Sequence, residues 1–110
     1  MINESTSAVV ERNATWRGAA ATEPYEAGWA REAAIFVRAL KPAIGEPGQA
    51  RVEISPDGIR WVAEGTTFPL PRTIDEVTFA RVSQFGAWLR IAADLGAAEV
   101  TVLVTIQLKA

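Results

Sequence analysis

The chain of 110 residues is 49% apolar and 22% charged, with a formal net charge of −2, which suits one ordinary globular core and supplies no basic field to attract nucleic acid. It contains neither Cys nor His, which excludes disulfides, thiolate chemistry, imidazole-bound metals and every Ser-His or Cys-His nucleophile. No apolar run approaches the roughly 20 residues that cross a bilayer, and the amino terminus lacks an export signal, so synthesis in the cytoplasm without membrane insertion is expected.

Residues 1–24 are rich in Ser, Thr, Asn, Glu and Ala, show little periodicity and end at Pro24. They read as an extended amino-terminal arm preceding a domain at 25–110. Val9, Val10 and Trp16 are its apolar anchors, too few to build a core unaided, and so are the expected docking residues on a partner. Residues 25–41 fit two patterns. Trp29, Ala33, Phe36, Val37 and Leu40 would line a helix, whereas Ile35, Val37 and Ala39 would line a strand. Lys41-Pro42 closes the segment, and Ile44 to Gly48 is a loop in either case.

Arg51 to Glu64 carries the least ambiguous local signal. Two alternating runs flank Ser55-Pro56-Asp57-Gly58, a turn in which Pro56 fixes φ and Gly58 can take the left-handed conformation. The pattern predicts a β-hairpin with Val52 and Ile54 on one face and Ile59, Trp61 and Ala63 together on an inward one. Pro69 and Pro71 then exclude a central ladder position for the second strand. Residues 75–96 again read two ways. One is a helix through Phe79, Val82, Leu89 and Ala93; the other is a strand over Val77–Val82, a break at Phe85-Gly86, and a second strand from Trp88 with Leu89, Ile91, Ala93 and Leu95 inward. The last segment is clear, since Val100, Val102, Val104, Ile106 and Leu108 alternate with more polar residues. Leu103, on the polar side, points to partial cover of that outer face.

Ser55-Pro56-Asp57-Gly58 followed by Trp61, then Phe85-Gly86-Ala87-Trp88-Leu89-Arg90, then the valine-rich final strand, resembles a group of small bacterial and prophage β-sandwich domains. The resemblance covers residues 34–109. It implies an all-β fold, a single antiparallel sandwich of jelly-roll type, with strands in both ambiguous segments. It also implies a non-enzymatic role as an accessory or surface part of a phage-like or gene-transfer-agent-like particle, released with that particle.

Among candidate functional residues, Trp61 reads as core packing because it shares a face with Ile59. Trp88 and Arg90 fall on the face opposite Leu89 and Ile91. With Trp29 they are the expected ligand or subunit contacts. The carboxylate pairs Glu23 with Glu26 and Asp75 with Glu76 read as solvated loop charge, and no calcium-loop spacing occurs. No catalytic, metal or cofactor residue is expected. The leading expectation is a self-associating structural or adaptor protein whose partners are its own copies and other particle proteins; the alternative is a carbohydrate-binding module that uses Trp88 or Trp29 with Arg90.

Overall fold

The computed structural model describes residues 5–110, so the first four residues of the expected arm lie outside the described residues. Seven strands follow in order: β1 (Ser5–Ala21), β2 (Tyr25–Glu26), β3 (Glu32–Ala39), β4 (Gln49–Ser55), β5 (Val62–Pro69), β6 (Val77–Ser83) and β7 (Trp88–Lys109). No helix occurs among the described residues. Both ambiguous segments are therefore strands, and the fold is all-β and antiparallel.

The architecture is organised by the 22 residues of β7. β1 pairs with it from Lys109 back to Ala92, and β2 continues on Leu89 and Trp88. A strand has only two edges, so β3, on Val102 to Lys109, and β4, on Trp88 to Ala93, must share the other one. β6 extends the sheet beyond β3 and β5 beyond β4, giving the order β5-β4-β7-β3-β6. The outer strands β5 and β6 approach each other without a ladder between them. The result is one sheet nearly closed into a barrel, where two discrete sheets of a jelly-roll sandwich were expected. The reason is that β7 does not end between its halves but bends and continues.

That bend changes which residues face inward. Leu89, Ile91, Ala93 and Leu95 are buried in the first half, whereas Ala98, Val100, Val102, Val104, Ile106 and Leu108 are buried in the second. Odd positions thus give way to even ones. An alternating strand can switch parity only through an irregularity. It lies opposite Gly18, where four residues of β7 separate Glu99 from Asp94 while Arg17 and Ala19 are divided by one. Gly18 and Gly96 both take positive φ, at 57° and 58°, a conformation open to glycine without steric cost. Each fully buried aliphatic of β7 contributes about 1.5–3 kcal/mol by leaving water.

Residues 5–21 are thus a strand of this sheet, not an arm outside it. Their low apolar content hid an inward row: Trp16 is buried, and Val10, Ala14 and Ala20 pack against the same core. Thr15 and Thr101 join across the two strands through their hydroxyls at 3.0 Å. Beyond the end of β1, Thr22 prolongs the ladder: its N–H donates to the Ile91 carbonyl at 2.8 Å, and its Oγ1 accepts the Ile91 N–H at 3.0 Å.

Candidate functional site

The hairpin between β4 and β5 turns through a loop that side chains hold in place of ladder bonds. Ser55 Oγ accepts the N–H groups of Asp57 and Gly58 at 3.2 and 2.8 Å and donates to Asp57 Oδ1 at 2.9 Å. The same Asp57 oxygen accepts the N–H groups of Ile59 and Arg60, both at 2.9 Å, and Oδ2 takes the Arg60 guanidinium at 3.0 Å. Those backbone bonds from Arg60 and Ile59, aided by the Ser55 hydroxyl, hold the Asp57 carboxyl at about 2, because each favours its charged form. Gly58 has φ +77°, as its place in the turn required.

This loop is longer than the expected tight turn. The first β5 pair is Val62 with Ile54, so Ile59 lies in the loop, 76% exposed, and Trp61 is half-buried where an inward strand position was expected. Trp61 instead carries the Arg90 guanidinium 4.4 Å above its ring. Arg90 Nε and Nη2 both reach Glu53 Oε1 at 2.7 Å, and Arg51 Nε reaches Glu53 Oε2 at 2.9 Å. Burial opposes charge on Glu53, but the two arginines outweigh it and hold the carboxyl below its ordinary range. With both oxygens engaged by cations, Glu53 is a fastening point rather than a proton donor.

The three expected contact residues therefore do not form one shelf. Trp88 pairs with Ser55 and lies under the loop, where a Cβ on Gly58 would stand 3.2 Å from its ring carbons. Arg90 is committed to Glu53 and Trp61. Trp29 is exposed in the turn before β3, and no two of the four indoles stack on each other. Of the expected docking residues, Trp16 is core, Val10 is partly buried against the core, and Val9 alone faces outward. The expected loop charges are all exposed, with Glu76 accepting the N–H groups of Arg72 and Thr73. Among the described residues, no group of three or more acidic side chains converges as a metal site would require.

An exposed feature lies elsewhere, on the outer face of β6, β3, β7 and β1. Register places Phe79, Phe36, Thr105 and Val9 in one row across the four strands. The row toward the β5–β6 loop holds Val77, Arg38 and Leu103. Phe36 and Phe79 stack with ring centroids 6.0 Å apart, and the Arg81 guanidinium lies 5.2 Å over Phe79. Val77 and Phe79 are 50% and 49% exposed, and Ile74, in the loop before β6, is 58% exposed. Leu103 had signalled cover on this face; Phe36 could have joined it, being the aromatic at an outward position between inward Ile35 and Val37.

The sequence matches no protein-family model and no curated protein. In three dimensions the chain is similar to the crystal structure of the SPBc2 prophage-derived protein YomS, with a TM-score of 0.63 at 10% sequence identity, over 100% of this chain and 96% of that one. At that identity the likeness is one of fold.

Proposed function

We propose that the protein is a non-catalytic structural or adaptor component of a phage-like or gene-transfer-agent-like particle, serving as surface decoration or as a spike or fibre attachment, and that it self-associates. The observation that carries this reading is the half-exposed apolar pair of Val77 and Phe79, backed by Phe36 and Leu103, with Ile74 exposed in the loop before β6. Apolar side chains gathered on one sheet face, at the free edge strand β6, favour burial against another protein surface. A second copy is the simplest partner, because a two-fold contact needs only one self-complementary patch. The likeness of fold to a prophage-derived protein supports the particle setting.

Light scattering on the purified chain tests self-association. The reading expects a mass that is a multiple of 11.9 kDa, falling to the single-chain mass in Phe79→Glu with an unchanged circular dichroism spectrum. A parent chain that stays at the single-chain mass up to high concentration would remove the self-association half of the proposal.

A further inference from the structure

The outer face is built differently at its Ser83 end. Ala34 lies directly between Arg81 of β6 and Gln107 of β7. Along its own strand it is flanked by Glu32 and Phe36, since side chains two apart share a face. One methyl among four long side chains leaves a pit. The surface there holds a depression of about 580 Å³, which Lys109 and, from β5, Glu64 also line. Its size falls within the range of about 300–1,000 Å³ found for small-molecule sites.

The chemistry of the rim is mixed. Glu32 only accepts hydrogen bonds, Arg81 and Lys109 only donate, and Gln107 does both. Glu32, Arg81 and Lys109 enter no ion pair among the described residues. Arg81 has its guanidinium carbon 5.2 Å from the centre of the Phe79 ring, at the edge of the depression. A phosphate would meet two carboxylates here, and an apolar peptide would bury charged groups without partners. A sugar ring suits both parts of the site: its C–H face can lie on the Phe36 ring while its hydroxyls accept from Arg81 and Lys109 and donate to Glu32.

We propose that this pit binds one or two rings of a neutral polysaccharide. The site is separate from the Trp88 and Arg90 cluster; it adjoins the apolar patch through Phe36 and Phe79 and lies at the opposite end from Val77. Screening the full-length protein on an array of microbial cell-surface oligosaccharides, then titrating the strongest binder by calorimetry, tests it. At least one oligosaccharide should bind, and Ala34→Leu, which raises the floor of the pit between Arg81 and Gln107, should abolish that binding. Arg81→Ala and Gln107→Ala should each weaken it at least tenfold. Ala34→Leu and Gln107→Ala should keep the parent's oligomer mass, and Val77→Glu, at the far end of the patch, should break self-association while keeping sugar binding; these two results separate failure of this proposal from failure of self-association. An array with no signal above background, or binding that Ala34→Leu and Arg81→Ala leave unchanged, would overturn the proposal.

Discussion

Replacing Gly58 tests whether the hairpin loop lies on Trp88. Two costs coincide at this position. At φ +77° any L side chain is strained, which costs about 1–2 kcal/mol. In addition, a new Cβ would sit 3.2 Å from Trp88 Cδ2 and Cε2 and 3.5 Å from Cε3, and relieving that overlap costs roughly another 1 kcal/mol. Gly58→Ala should therefore destabilise by about 2–3 kcal/mol, lowering the melting temperature by roughly 8–15 °C in a domain of this size. Gly58→Val should cost more. Gly48 supplies the control, because its φ is +79° while nothing lies within 4 Å of its Cβ position. Gly48→Ala should show the backbone cost alone, about 1–2 kcal/mol. A double-mutant cycle with Trp88→Ala isolates the remainder as a coupling between Gly58 and Trp88. Equal losses for Gly58→Ala and Gly48→Ala, with no coupling to Trp88, would refute the placement of the loop over the indole.

Deletion of residues 1–22 should unfold the domain, because it strips the edge of β7 along most of its length and removes Trp16 from the core; loss of the cooperative thermal transition is the expected readout. Arg90→Ala should cost about 1.5–3 kcal/mol in urea unfolding, the usual scale for a hydrogen bond to a charged group, since Arg51 still partners Glu53, and it should alter the fluorescence of Trp61 as its stacked cation is lost. Asp57 has its folded pKa depressed to about 2 from 3.8, so its contribution to stability is complete above the unfolded value and is lost as pH falls toward the folded one. Urea midpoints measured from pH 5 to pH 2 should accordingly fall more steeply for the parent than for Asp57→Asn.

Strong alternation made parts of this fold legible. Val100 to Leu108 announced the second half of β7, and Ile35, Val37 and Ala39 the inward row of β3, because large aliphatic residues at every second position leave one face to bury. The Phe85-Gly86 break also stands where it was expected, with Gly86 at φ +86° between β6 and β7. β1 was hidden for the opposite reason: apart from Val10 and Trp16, its inward positions hold small residues, which fit against the bent ribbon but give no hydrophobic period. The continuity of β7 was hidden too. Its parity change at Gly96 makes one strand look like two, and with that the sheet count of a sandwich seemed natural. Ile59 and Trp61 were misplaced because Ser55 and Asp57 satisfy the loop's N–H groups, so the chain need not resume its ladder until Val62.

The candidate surface was legible in outline only. Leu103 on a polar face marked this surface, but the residues that share its neighbourhood come from β3 and β6, and only register brings them together. Trp88 and Arg90 drew attention as an outward aromatic and cation. Their partners, Gly58 and Glu53, lie thirty or more positions away, and that pairing turns a would-be binding shelf into a fastening for the hairpin.

The particle reading is tested most directly by purifying the phage-like particles released from producing cells by density gradient and quantifying this chain in the particle band by mass spectrometry. The account predicts that the chain co-sediments with the particles at a fixed ratio to the other particle proteins, and that Phe79→Glu lowers that ratio. A chain found only in the soluble fraction, with particles complete and infective in its absence, would contradict it.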